Sequence, residues 1–386
     1  MLHENLKMKP LWNGVSGPTK TLGLRFFFLV VVLGVASCIR PPELVGVENP
    51  QYPASDVIEA KRQTVFIATT RQASGAEGVF YSGDRSDTLG LASVVVTVPP
   101  NHKVGKIERT SALPPNPSKH FTIIDPKVYA SENAFVSDID KQLLALGASE
   151  RNVLFFVHGY NTTLSDAILR LAQFVEDTEY DGVPVLMSWA SAAETLKYVY
   201  DINSALAARS DFLRAGEIVT RSKAQQFDIL AFSMGAFLTM EAISQAELAG
   251  EFNPRKRVRN IILAAPDIDL AVFENQLSKI KHDNQKIFVL VSSDDRILNF
   301  SKFVSGGVDR VGATDAAELA KSGVTVIDLS QVSDSKSTSH SKFAASPEVV
   351  RISGEAIRTS RRSSRRSTVE LQDLIGDASV EIVGTR

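Results

Sequence analysis

The sequence predicts an α/β protein whose doubly wound, mostly parallel sheet is preceded by strands of antiparallel type. Three observations carry that prediction. First, apolar runs at 152–159 (NVLFFVHG), 183–189 (VPVLMSW), 227–233 (FDILAFS), 260–267 (NIILAAPD), 286–295 (KIFVLVSSDD) and 324–330 (VTVIDLS) alternate with amphipathic segments such as 165–180, 205–222 and 237–250. Continuous Val/Ile/Leu runs separated by helices mark strands buried on both faces. Second, HGYN, SWAS, SMGA, PDID and SDDR each follow one of these runs directly. In such a sheet ligands sit beyond the carboxyl ends of the strands. Third, TVFIATT (64–70), ASVVVTVPP (92–100) and the weaker FTIID (121–125) are short β-like runs parted by polar, Gly/Pro-containing stretches.

The 386 residues are 44% apolar and 22% charged with a net charge of −2, a globular profile that argues against nucleic acid as an electrostatic partner. One cysteine permits neither an internal disulfide nor a cysteine-based metal cluster, and no internal repeat is present. That cysteine, Cys38, directly follows KTLGLR (20–25) and FFFLVVVLGVA (26–36). An apolar run this short does not span a bilayer comfortably; a charged start, a short apolar run and small residues describe a secretory signal peptide. VASC (35–38) resembles the bacterial lipobox, which implies cleavage before Cys38 and lipid on its thiol. Met8 or a later residue is an alternative start, given the long polar lead. The expected organisation is a signal peptide at 1–37, a Pro-rich tether at 38–60 and one α/β domain at 61–351. Within the domain, 61–130 carries the N-terminal strands and 134–351 the α/β core. The remainder, 352–386, contains RTSRRSSRRST (358–368), an Arg/Ser run without apolar periodicity, and is expected to be disordered.

The chemistry centres on AFSMGAF (231–237), where Ser233 ends a strand and precedes an amphipathic helix. That is the setting of a nucleophile elbow, G-x-S-x-G, with Ala231 in place of the first glycine. An ordinary serine N-cap has the same local pattern, so the motif alone does not decide. The Met234 amide, at the helix start, is a candidate oxyanion donor, and the Tyr160 amide after His158-Gly159 is the second. Where a sheet displays a serine this way, the acid and then the base follow it in the chain. Of the six histidines, at 3, 102, 120, 158, 282 and 340, four precede Ser233. His282 lies ahead of a strand, at the opposite edge, leaving His340 as the base. His158 is expected to shape its loop. For the acid, SSDDR (292–296) is favoured by its later strand: Asp295 ahead of Asp294, with Asp267 third and Asp269 beside it. The acid would hold His340 in the correct tautomer and stabilise its imidazolium.

Together FIATTR (66–71), FFVHGYNTT (155–163), LMSWAS (186–191), YVYD (198–201), AFSMGA (231–236), LAAPDID (263–269), SSDDRIL (292–298) and HSKF (340–343) resemble a large bacterial family of α/β-hydrolase-fold, esterase/lipase-like proteins, over residues 62–350. The resemblance implies an α/β-hydrolase fold, supports Ser233 and His340, and places the acid at Asp295 through D-R-x-L. The family pattern has histidine before the nucleophile, where this chain has Phe232. That position lines the site, and with Trp189 it is expected to contact substrate.

These readings lead to a lipid-anchored serine hydrolase of carboxylic esters at the bacterial cell envelope, expected at the outer membrane facing the periplasm. Its expected substrates are small-molecule or lipid esters, with no cofactor, no metal and no nucleic acid. The competing reading is a non-catalytic envelope lipoprotein that uses the fold for binding; Ala231 and Phe232 favour it, the Ser–Asp–His order opposes it. A metal hydrolase lacks H-E-x-x-H, and a nucleotide enzyme lacks a Gly-rich phosphate loop. Residues 198–207 are expected to pack as a helix, with a lid over the site as the alternative.

Overall fold

The computed structural model describes residues 40–281, 285–332, 339–362 and 380–384, with the backbone alone at 355–362. The fold belongs to the unit that begins at Pro42. Among the described residues ten strands form one sheet: β1 (Lys61–Ala73), β2 (Tyr81–Val98), β3 (Thr122–Val128), β4 (Asn152–Val157), β5 (Val183–Ser188), β6 (Gln226–Phe232), β7 (Val258–Ala264), β8 (Lys286–Val291), β9 (Thr325–Asp328) and β10 (Glu381–Val383). The spatial order is β10-β9-β8-β7-β6-β4-β5-β1-β2-β3. From β1 to β9 across the centre every pairing is parallel. Among these strands antiparallel pairing is confined to β1–β2, β2–β3 and the β9–β10 edge.

Strand β4 shows why a continuous apolar run suits the middle of this sheet. Val153, Phe155 and Val157 enter one core, Leu154 and Phe156 the other, as alternate side chains of a strand must. The first core takes Phe135 and Ile139 from the helix Glu132–Ala145 and Phe212 from the helix Arg209–Thr220. The second takes Ile168 and Leu171 from Leu164–Asp177 and Val349 from Pro347–Arg362. Burying one such side chain contributes about 1.5–3 kcal/mol. The segment 198–207 is a helix that buries Tyr198, Asp201, Ser204 and Ala205.

Topology then selects the site. The chain leaves β4 for β5 on one side and returns to β6 on the other. Loops after β4 and β6 diverge there, which opens a crevice at their carboxyl ends. The loop carrying His158 and the turn carrying Ser233 face each other across it.

Two expected boundaries are corrected. The tether at 38–60 is instead part of the fold from residue 42: Leu44, Val45 and Val47 are buried and Gly46 N–H donates to the Ile123 carbonyl at 2.8 Å. Its proline content masks three apolar residues that cover the sheet beside β3. Where residues of the segment 352–386 are described, they form regular structure. The helix Pro347–Arg362 runs into it, and β10 within it pairs with β9 while Val380 and Ile382 are buried. The apolar leader, Cys38, His282 and residues 363–379 lie outside the described residues. Among the described residues no helix is long and apolar enough to cross a membrane.

Candidate active site

Ser233 joins β6 to the helix Met234–Ala249 with φ 54° and ψ −122°. A non-glycine residue at positive φ costs on the order of 1–3 kcal/mol and persists where neighbours over-determine it. Here Ser233 N–H donates to the Ala264 carbonyl at 2.9 Å, and its own carbonyl accepts from Ala236 and Asp267 at 2.9 and 3.2 Å. The side chain makes no helix-capping bond, which removes the N-cap explanation for this serine. Gly235 has no room for a side chain: a Cβ would meet the His158 and Val157 carbonyls at 2.4 and 2.5 Å. Ala231, at the position where the motif has glycine, is fully buried between Val157 and Leu263 on the flanking strands.

The imidazole of His340 packs against Phe232, the residue before Ser233. Its Nδ1 lies 2.7 Å from Asp295 Oδ2, and its ring lies 4.8 Å from that of Phe232, next to Ser233. Asp295 is fully buried and caps the helix Arg296–Val304, Oδ1 accepting the Ile297 and Leu298 amides at 2.9 and 3.0 Å. The helix start therefore fixes the carboxylate that faces the histidine. Asp294 does different work. Its oxygens bind Lys342 Nζ at 2.8 and 3.0 Å, and it accepts from Ser292 and Ser339. Partial burial opposes its charge, yet the Lys342, Ser292 and Ser339 bonds hold the carboxyl at about 2. Lys342, itself buried, also donates to the Leu329 carbonyl at 3.0 Å. Residues 339 and 342 thus pin both sides of His340 to the ends of β8 and β9.

Asp267 is occupied elsewhere, binding Tyr198 Oη at 2.9 Å and Ser301 Oγ at 2.5 Å, with Arg310 at 3.4 Å. Asp269 caps the helix Leu270–Leu277.

The wall opposite Ser233 is the loop after β4. Gly159 lies so close that a Cβ there would be 2.9 Å from Ser233 Cβ. Tyr160 follows, its hydroxyl bound to the Thr195 carbonyl and its ring 5.2 Å from that of Tyr198. The Met234 amide opens its helix, where no intrahelical acceptor can reach it. His158 is buried, with Nδ1 2.8 Å from the Gly159 carbonyl and Nε2 3.1 Å from the Trp189 carbonyl. Burial, and then the neighbouring Arg71 charge, pull its pKa down to about 3, so it is neutral.

Trp189 does not line the site, contrary to the sequence expectation. It is fully buried, its ring stacks 5.0 Å from that of His158, and its indole N–H donates to the His158 carbonyl at 2.8 Å. A buried indole needs an acceptor, and the β4 loop supplies it. Phe232 does line a cavity of about 360 Å³, together with Phe156, Gly159 and Ser341.

Three residues that organise the site have no catalytic signature in sequence. Arg71 is buried at the end of β1 and donates to the Ser188 hydroxyl (2.8 Å) and the Ser82, Ser191 and Thr162 carbonyls (3.1, 3.0 and 2.7 Å). Burial lowers its pKa to about 10 against the opposing pull of Glu43 and Asp201, and it remains a cation. Asp201 accepts from the Asn161 amide (3.0 Å), the Ser191 hydroxyl (2.6 Å) and the Ala192 amide (2.7 Å), fastening the same loops from the other side. Burial raises its pKa, and those bonds offset the rise. Lys342 is the third. The recurring strings FIATTR, YVYD and HSKF contain all three, but nothing in a string says that its charge is buried.

A family model described as an alpha/beta hydrolase of unknown function, DUF900, matches residues 131–361, more than half of the chain. The chain belongs to that family. The matched segment runs from the helix Glu132–Ala145 into the helix Pro347–Arg362 and so includes Ser233, Asp295 and His340. Among solved structures, a predicted CIB-like hydrolase from Thermoplasma acidophilum is 19% identical, with 55% of this chain and 89% of that one covered at a TM-score of 0.33. One of two fungal esterases from Rhizomucor miehei is 12% identical over 90% and 98%, at 0.34. A thermostable esterase from Pseudomonas putida is 14% identical over 92% and 94%, also at 0.34. No curated protein matches the chain.

Proposed function

We propose that this DUF900 protein is a serine hydrolase that cleaves carboxylic esters, with Ser233 as nucleophile, His340 as base and Asp295 as the acid that orients it. The observation that carries the reading is the buried Asp295–His340 contact at 2.7 Å, delivered beside a serine held at φ 54°. A serine hydroxyl is a weak nucleophile until a neighbouring imidazole takes its proton. In the proposed reaction His340 Nε2 accepts the Ser233 proton as Oγ attacks the carbonyl. Asp295, bonded to Nδ1, keeps the proton on that nitrogen and stabilises the imidazolium. The Met234 and Tyr160 amides receive the oxyanion, and His340 then protonates the leaving alcohol. Water repeats the sequence to release the acid and restore Ser233. The lipobox-like VASC and Cys38 support attachment to the bacterial envelope, facing the periplasm.

A second reading, a non-catalytic binding protein on the same fold, is favoured by one observation: Ser233 is only 1% exposed. Labelling full-length protein with a fluorophosphonate separates the two, because the probe reacts only with an activated serine. Labelling of the parent that is lost in Ser233→Ala and His340→Ala is the result expected of the hydrolase. A folded parent that does not label overturns it in favour of the binding reading.

A further inference from the structure

The cavity beside the Ser233 turn is not a purely apolar acyl pocket. Ile107, Phe156 and Phe232 supply apolar wall, but Arg109, Asp166 and Arg170 line it too. The three charges are not equivalent. Arg109 is neutralised in place: its Nη1 lies 2.5 Å from Asp166 Oδ1, its Nη2 donates to the Pro42 carbonyl at 2.9 Å, and Glu43 approaches to 3.6 Å. Asp166 is further committed to its own helix start, where Oδ2 accepts the Thr163 amide at 3.2 Å.

Arg170 projects from the helix Leu164–Asp177 and differs from Arg109 in making no direct ion pair. It donates through Nη1 to Gln173 Oε1 at 2.9 Å, and among the described residues no carboxylate pairs with it. Asp166, one turn earlier on the same helix, and then Asp177 favour its charge without reaching ion-pair distance: Asp166 is held by Arg109, and Asp177 is bonded to His102 Nε2 at 2.7 Å, to the Gly105 amide at 2.7 Å and to Gln173. Burial works against the Arg170 charge, but a guanidinium stays protonated and keeps its remaining donors for a ligand. A partly buried guanidinium that makes no direct ion pair in a concave site gains from an anion that occupies its remaining donors.

We propose, building on the ester-hydrolase reading, that the substrate carries a carboxylate that docks on Arg170, so that the preferred esters are anionic. With Asp166 in the same cavity, a monoanion meets less repulsion there than a phosphate dianion would. At about 360 Å³ the cavity lies within the size range of small-molecule sites.

The test compares kcat/KM for matched esters with full-length parent, Arg170→Gln and Arg170→Lys. Mono-4-nitrophenyl glutarate against 4-nitrophenyl valerate places the carboxylate on the acyl side. 4-Acetoxybenzoate against phenyl acetate places it on the alcohol side. Because each ratio is compared between parent and variant, leaving-group chemistry cancels. The expected result is a fall of about tenfold or more in at least one anionic-to-neutral ratio in Arg170→Gln, partly restored in Arg170→Lys. Ratios that move less than about twofold in a folded Arg170→Gln protein overturn the proposal.

Binding of glutaramate, valeramide and inorganic phosphate to parent and variants, followed by calorimetry, needs no turnover. Saturable glutaramate binding that exceeds valeramide binding and weakens in Arg170→Gln supports the anion pocket even where no ester is cleaved, in which case only the hydrolase reading fails. Ester cleavage with no charge preference and no glutaramate binding does the reverse. Tighter binding of phosphate than of glutaramate overturns the carboxylate assignment. Should Arg170→Gln not fold, the parent's preference for glutaramate over valeramide still decides.

Discussion

Asp295 divides its two oxygens between a histidine and a helix: Oδ2 lies 2.7 Å from His340 Nδ1 while Oδ1 accepts the Ile297 and Leu298 amides. Asp295→Asn preserves an acceptor for the helix but offers His340 either a donor or a neutral carbonyl. The expected loss in kcat on 4-nitrophenyl acetate is on the order of 10³–10⁴-fold, with Tm moved by only a few degrees. Asp294→Asn breaks contacts to Lys342 and Ser339 without touching the imidazole. It is expected to cost about tenfold, through looser placement of His340. Equal losses in the two variants would show that the acid is wrongly assigned.

Glycine and alanine divide the elbow in a way that denaturation can read. A Cβ at Gly235 collides with two carbonyls of the β4 end, so Gly235→Ala is expected to destabilise by roughly 3 kcal/mol. Gly216, inside the helix Arg209–Thr220, has nothing within 4 Å of a built Cβ, and Gly216→Ala should stabilise by about 0.5–1 kcal/mol. Ala231→Gly, which restores the motif, removes a buried methyl group and should destabilise by about 1 kcal/mol. Urea unfolding curves of the three variants check the order. A stabilised Ala231→Gly protein would mean that Ala231 strains the turn.

The central sheet was legible because its strands are buried on both faces and so read as unbroken apolar runs. The strand-end positions of Ser233, Asp295 and His340 followed from the same pattern, since a doubly wound sheet gathers such ends along one edge. What escaped were residues whose meaning depends on burial. Arg71 reads as one more surface arginine in FIATTR, yet its guanidinium ties together loops more than a hundred residues apart in sequence. Leu44 and Val45 sit in a Pro-rich stretch, and the alternating Val380 and Ile382 follow an Arg/Ser run, so local composition hid both. Trp189 looked available to substrate because an aromatic after a strand has two uses, and only the contact with His158 shows which one holds.

Arg71 offers a direct stability test of the loop framework around the site. Arg71→Met removes the donors to Ser188, Ser82, Ser191 and Thr162 and leaves the carbonyls among them buried without partners. The expected cost is roughly 3–5 kcal/mol by urea denaturation, the range for breaking a buried charged network. Arg71→Lys should recover little, because one ammonium cannot span acceptors arranged around a planar fork. Full rescue by lysine would mean that only the charge matters.

His158 gives the protein an acid sensitivity with a definite sign. Its pKa is held at about 3 in the folded chain, far below the ordinary histidine value of 6.5. Between those values the unfolded chain binds the extra proton and the folded chain does not. The stabilisation is therefore complete above about pH 6.5 and is lost as pH falls toward 3. His102 runs the other way: burial lowers its pKa, but its bonds to Asp177 and Glu108 outweigh that and raise it, so its contribution fades as pH rises through the folded value. Asp294 adds its own loss only as pH drops from 3.8 toward 2. Urea midpoints at pH 6.5, 5.5 and 4.5 isolate His158 when the parent is compared with His158→Gln, which keeps His102 and Asp294. The parent should lose stability more steeply than the variant, by up to about 1.4 kcal/mol per pH unit. Parallel slopes would mean that His158 accepts a proton inside the folded protein, even with the Arg71 Nη2 at 3.4 Å from its Nε2.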